Sequence, residues 1–258
     1  MIILDCETYT NYFLLSMLDT DSGHIKDFEL FDGQDFDSKT VTAILKKHTT
    51  LGFNSSNYDL PVIVAALRGD TNAQIKQLSD DIINAPKVWP VLKKHKINIP
   101  QGFDHIDIIE LPIGQASLKI YGGRLHAPKL QDLPIEPSAI ITPEQRETLR
   151  LYCHNDLQVT RILYEELKPQ IALREQMSKQ YNIDLRSKSD AQIAENIIKH
   201  ELEAKNIDCT RPTVKIGTKY KYTTPKHITF KNPLFNDLVA MIEQTDFVVN
   251  DNGQVALP

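Results

Sequence analysis

Apolar residues fall along the first half of the chain in short blocks whose spacing switches between strand-like and helix-like. Ile2-Ile3-Leu4 runs into Asp5-Cys6-Glu7, the pattern of a buried strand with polar residues at its C-terminal end. Residues 24–31 alternate as a second strand, and 40–48 read as a helix. Leu51-Gly52-Phe53-Asn54 gives a short strand, followed by the polar turn Ser55-Ser56-Asn57. A helix is expected from about Asp59 to Arg68, with Pro61 near the first turn, where the missing N–H is tolerated. A further helix covers 71–83, a Pro- and Lys-containing connection 86–100, and a strand 105–109.

Leu130 to Pro143 carries three prolines and reads as a loop. From Pro143 the sequence gives its clearest helix, through Leu167, with Leu149, Tyr152, Asp156, Val159 and Leu163 recurring every three or four residues. Strands alternating with helices predict an α/β layered domain ending at about residue 185. Residues 187–205 form another helix with Ser189 as its N-cap. The remainder, 186–258, is expected to be a smaller α+β extension, closing on a helix-like piece and an extended end at 234–258. No internal repeat or low-complexity tract interrupts the chain.

At 258 residues there is room for one large domain, or for one domain with an appendage. Cys6, Cys153 and Cys209 have neither zinc-ligand spacing nor a disulfide framework, which fits a reducing, cytoplasmic setting. The N-terminus has only a short apolar start before two acids, unlike a signal peptide. No apolar run approaches the roughly 20 residues of a membrane span, so no membrane partner is expected.

The net charge of −5 is uneven, because 186–258 hold ten Lys/Arg against nine Asp/Glu and leave −6 on 1–185. An acidic domain can still act on nucleic acid when its acids gather round metal ions that invert the local field. Lys215, Lys219, Lys221, Lys226 and Lys231, with Arg211, occur in 211–231 without an intervening acid and are interleaved with Tyr220, Tyr222 and Phe230. Such a stretch suits single-stranded nucleic acid. A solvated basic hairpin is the plainer expectation.

Phosphodiester hydrolysis by two divalent ions needs carboxylates from different elements to converge. Asp5 and Glu7 are two apart on a strand and share a face, while Cys6 takes the other. Tyr152 and Asp156 are four apart on a helix and also share a face. Asp59 stands at the start of a helix, where a carboxylate can point out of the scaffold. The plain alternatives are solvated strand-end acids, a helix-start charge at Asp59, and a core tyrosine at 152. Cys6 and Cys153 lie beside these positions as buried fillers, lacking the adjacent base a nucleophilic thiol needs. Asp104, His105, Asp107 and Glu110 read as a strand flank with solvated ends. Lys119, Arg124, His126 and Lys129 line either a substrate groove or a surface loop.

Asp5-x-Glu7, Asn54-x-x-x-Tyr58-Asp59 and Tyr152-x-x-x-Asp156 occur in the order of the three motifs of the DEDD exonuclease superfamily, and the chain resembles its tyrosine subclass. The histidine subclass places its histidine five residues before the last aspartate, where this chain has Leu151, and His154 lies roughly 200° round the helix from Asp156. The likeness is to the N-terminal proofreading exonuclease of bacteriophage family-B-like DNA polymerases. It covers about 1–185, and less specifically the segment 187–195.

The resemblance implies an RNase H-like mixed sheet flanked by helices, and a magnesium-dependent 3′→5′ exonuclease acting on single-stranded or frayed DNA 3′ ends. It implies two Mg²⁺ or Mn²⁺ held by Asp5, Glu7, Asp59 and Asp156, with Tyr152 orienting the water. Thr8, Asn54 and Lys129 become candidate substrate contacts. A polymerase domain in a longer natural chain becomes a partner, 186–258 being the start of the next region, and the host cytoplasm the location. The alternatives are a free-standing DNA or RNA exonuclease and an inactive nucleic-acid-binding module.

Overall fold

A computed structural model describes residues 1–114, 116–210 and 213–256. The chain divides into two compact units, 1–200 and 201–258. The first is a mixed α/β unit built on one five-stranded sheet, and the division falls inside a helix rather than in a loop.

Strands β1 (Ile2–Tyr9), β2 (Tyr12–Asp19) and β3 (Ile25–Phe31) form an antiparallel meander. After α1 (Ser38–Lys47), β4 (Thr50–Gly52) returns parallel to β1, and β5 (His105–Asp107) lies parallel to β4. The spatial order is therefore β3-β2-β1-β4-β5. Between β4 and β5 come α2 (Asp59–Arg68), α3 (Asn72–Asn84) and α4 (Val88–Lys94), the last within the expected connection. Helices α5 (Leu118–Arg124), α6 (Pro143–Tyr181) and α7 (Asp190–Ala204) follow.

The alternation of β1 sorts the core. Leu4 and Cys6 join Phe13, Leu15 and Met17 against α1, α2 and α3. Ile3 faces the other way and packs with Leu51, Ile106, Tyr121, Leu157 and Leu163, beneath α5 and α6. Asp5 and Glu7 have the parity of Ile3, so their side chains start on the α6 face. β2, which the pattern of alternation does not reveal, is buried at every position from Tyr12 to Leu18. A strand covered on both faces reads as a continuous apolar run.

Local signals explain the helix ends. Thr142 and Gln145 form a reciprocal capping box ahead of Pro143, Thr71 and Gln74 do the same for α3, and Gly69 ends α2 at φ 90°. Ser189 accepts from the Gln192 amide and so caps α7 as expected. α6 runs past Leu167 and through Pro169 to Tyr181, where Asn182 closes it at φ 55°. The proline leaves the helix continuous because Leu167, Ile171 and Arg174 remain buried on either side of it. Among the described residues no helix is long and apolar enough to cross a membrane.

The second unit holds a small sheet of β6 (Lys219–Tyr220), β7 (Phe247–Val249) and β8 (Val255–Ala256), with α8 (Pro233–Gln244) between β6 and β7. The basic stretch is accordingly not a hairpin of its own, since β6 pairs with β7 some 27 residues later. Lys219 and Lys221 both approach Asp246, at 3.1 and 3.8 Å. Tyr220, Tyr222 and Phe230 are exposed. Arg211 lies outside the described residues.

Candidate active site

β4 pairs with β1 only at Ile2 and Ile3, whereas β2 follows β1 all the way to Tyr9. From Asp5 onward, the β4-facing edge of β1 is left without a strand partner. In sheets with parallel strands, a crevice beyond the carboxyl ends is where ligands enter. α2 begins beside this gap, and α6 crosses β1 on the other face.

α6 brings Tyr152, Cys153 and Asp156 to β1. The Cys153 thiol donates to Asp5 Oδ2 at 3.4 Å and toward the Asp5 carbonyl at 3.7 Å. Ligand atoms of Asp5, Glu7 and Cys153 all lie within 4.8 Å of one another. Burial pushes the Cys153 thiol well above its ordinary range, so it stays protonated as a donor to Asp5 rather than a thiolate ligand. Asp5 and Glu7 keep a partial opening to solvent.

The four acids oppose one another. Burial, then the charge of Asp156, raises Asp5 to about 7. Burial lifts Glu7 well above the carboxylate range, with Asp5, Asp156 and Asp59 adding repulsion and Lys119 working against it. Asp59 is raised by burial and by Asp5 and Asp107, although the Cys6 amide and thiol offset part of this. Asp156 is raised by burial, with the Tyr152 hydroxyl, Asn155 and Lys119 holding it down. Tyr152, 8% exposed, is pushed above the phenol range by burial and then by Asp156.

Asp59 supplies the clearest sign of an unmet need. It is 4% exposed, and its Oδ1 has no hydrogen-bond partner. A buried acceptor without a partner costs about 1–3 kcal/mol. Oxygen donors of this kind, from a strand, a helix start and a second helix, suit a hard divalent cation. The sequence-expected residues Asp5, Glu7, Asp59, Tyr152 and Asp156 are thus brought into one electrostatic cluster.

The expected substrate contacts stand differently. Thr8 is buried, and its hydroxyl is engaged by Tyr58 Oη at 2.8 Å and Ser79 Oγ at 2.9 Å, with Tyr58 and Ser79 themselves 2.9 Å apart. This hydroxyl triangle and Glu7 line a hollow of about 120 Å³. Asn54 is exposed, with φ 58°. Lys129 lines a separate hollow together with Asn155, Gln158 and Val159 of α6. The lysine whose charge reaches Glu7 and Asp156 is instead Lys119, on α5, 6.0 Å from the centre of the Tyr152 ring. Its ion pair is with Asp132, 3.0 Å away and fully exposed. His154 turns to β3, where its Nε2 meets Asp27 at 2.8 and 3.0 Å.

Asp107 departs from the expected solvated flank. It is buried at 4% exposure, and its carboxylate accepts from three backbone amides near the site. A hollow of about 480 Å³ at the C-terminal end of α6, between Glu175 and Arg186, is lined by none of the site residues.

Comparison with protein-family models, curated proteins and solved structures finds no match to this chain.

Proposed function

We propose that the protein is a divalent-metal-dependent 3′→5′ exonuclease of the DEDD superfamily, tyrosine subclass, acting on single-stranded or frayed DNA 3′ ends. The observation that carries this reading is Asp59, a buried carboxylate with an unpartnered oxygen whose pKa is raised by burial and by Asp5, and whose charge in turn raises Glu7. The sheet order β3-β2-β1-β4-β5, antiparallel on one side of β1 and parallel on the other, supports an RNase H-like fold.

Asp5, Glu7 and Asp156 are the residues to hold one Mg²⁺ or Mn²⁺, and Asp59, sharing Asp5, the other. When bound, the ions supply Lewis-acid charge neutralisation and an activated water. Tyr152, whose hydroxyl interacts with Asp156 and whose proton burial retains, orients the water by hydrogen bond without removing its proton. Lys119 leaves its exposed pairing with Asp132 readily, since such surface pairs are worth about 0–1 kcal/mol, and offers its charge to the phosphate. The hollow beside Glu7 and Thr8 admits the 3′-terminal sugar.

Within this reading the protein is the proofreading portion of a phage family-B-like polymerase, a placement that rests on the form of the second and third motifs. The test is a time course on 3′-labelled and 5′-labelled single strands of DNA and RNA, with and without Mg²⁺. Immediate release of the 3′ label from DNA, only with Mg²⁺, is expected. Release of the 5′ label first, or hydrolysis indifferent to chelator, would overturn the reading.

A further inference from the structure

Asp59 reaches the site on a turn that no sheet ladder holds. β4 ends at Gly52, and the next helix begins at Asp59. Between them the chain passes Asn54 in a left-handed conformation, at φ 58°. Such a turn leaves backbone N–H groups facing inward, and buried ones need acceptors.

β5 provides them. Asp107 Oδ1 accepts from the Asn54 amide at 2.9 Å and the Ile109 amide at 3.1 Å, and Oδ2 accepts from the Ser56 amide at 2.9 Å. His105 stands two residues away on the same strand, bridging Thr50 Oγ1 at 2.8 Å and Ser55 Oγ at 2.7 Å. A neutral imidazole has one donor and one acceptor, and either hydroxyl can complement either nitrogen. Gly52, which ends β4, lets Ser55 fold back over it: a Cβ at Gly52 would lie 2.5 Å from the Ser55 side chain and 3.3 Å from the Leu4 carbonyl oxygen. From behind, Ser187 Oγ accepts from the Asp107 amide at 2.9 Å.

We infer that Asp107, with His105 beside it, is a positioning residue that locks the 54–58 turn so that the unpartnered Asp59 oxygen stays aimed at the cation site. This inference rests on the reading of Asp59 as a metal ligand. A carboxylate with an empty acceptor would otherwise rotate or shift toward a partner, and a ligand must be held to within about 0.5 Å to bind well. Ser55 contributes as well, since its carbonyl accepts from the Leu60 amide at 2.9 Å and so ties the turn to the first turn of α2.

The test compares the purified chain with D107N and D59N. D107N keeps one acceptor oxygen but turns an amide toward the Ser56 N–H, so one bond of three is lost. Calorimetric titration with Mg²⁺ should show D107N and D59N weakened in the same binding step, by about 10–100-fold for D107N. The Mg²⁺ concentration for half-maximal hydrolysis by D107N should rise by the same factor, while KM for DNA at saturating Mg²⁺ stays near wild type. Melting temperature reduced with Mg²⁺ affinity unchanged would make Asp107 a structural acid only and overturn the inference. If D107N does not fold, H105A, which removes the bridge between Thr50 and Ser55, takes its place under the same criterion. A wild type that binds Mg²⁺ but cleaves no DNA would end the exonuclease reading, and the inference would still be decided by the binding of D107N against D59N.

Discussion

Asp59 and Asp107 are equally buried, each with 4% of its surface exposed, and the charge of Asp107 adds to the rise in the pKa of Asp59. One is satisfied and the other is not. Asp107 sits at the end of β5 with three amide donors, and those bonds oppose the rise that burial imposes on its pKa. Asp59 sits at the start of α2 with an oxygen facing no donor and with Asp5 and Glu7 as repelling neighbours. Buried acids that serve the fold are solvated by the protein's own N–H groups. Buried acids left to repel one another await a charge from outside.

The largest effect expected from this contrast is on hydrolysis. D5A and D156A should each reduce the rate by about 10³-fold or more, because each removes a carboxylate needed to hold the ions that would neutralise transition-state charge. Y152F should slow hydrolysis while leaving Mg²⁺ affinity near wild type. Rates of either alanine variant close to wild type on single-stranded DNA with Mg²⁺ would break the distinction between the two kinds of acid.

Stability should move in opposite directions at the two positions. In metal-free protein, D59N removes a charge that burial and its neighbours disfavour, and should raise stability by about 1 kcal/mol. D107N loses a charge-assisted bond to the Ser56 amide and should cost about 1–3 kcal/mol. Denaturant midpoints in chelator measure both, and a shared sign would refute the comparison.

Acidification should separate the regions as well. Asp5, raised to about 7, holds more protons folded than unfolded between pH 4 and 7, so its contribution to stability falls as pH rises through that window. His105, lowered to about 4 by burial, is the reverse: unfolded chains take up its proton first, and stability is lost as pH falls below about 6.5. Metal-free H105Q should therefore gain more stability than wild type on going from pH 7 to pH 5. Equal pH slopes would contradict the opposed signs.

The smallest effect belongs to the second unit. Its lysines are exposed, and two already meet Asp246. Replacing Lys219 and Lys221 should lower the salt dependence of DNA binding by no more than about two charges' worth of slope. An unchanged slope would assign those lysines to Asp246 alone.

What could be read from the sequence follows the range of the interactions involved. β1, β3 and the first half of α6 announce themselves by period, and the spacing of Asp5 with Glu7 and of Tyr152 with Asp156 places each pair on a face. β2 escaped because Tyr12–Leu18 is buried on both sides and so shows no alternation. α6 beyond Leu167 escaped because Pro169 imitates a terminus, while tertiary burial of Ile171 and Arg174 carries the helix on. The role of Asp107 could not be read at all, since its partners at Asn54 and Ser56 are main-chain amides more than 50 residues away and leave no side-chain signature. Lys119 and Lys129 look alike in sequence; only the path of α5 brings Lys119 to the acids.

The central claim is that Asp5, Glu7, Asp59 and Asp156 form an acid cluster completed by divalent cations. Titration of Mg²⁺ into metal-free protein at pH 7, repeated in buffers of different ionisation enthalpy, addresses it directly. Binding should release protons, because acids raised by mutual repulsion give them up when a cation arrives, and D59N should bind more weakly and release fewer. Absence of Mg²⁺ binding by the wild type, or binding with no proton release and no loss in D59N, would contradict it.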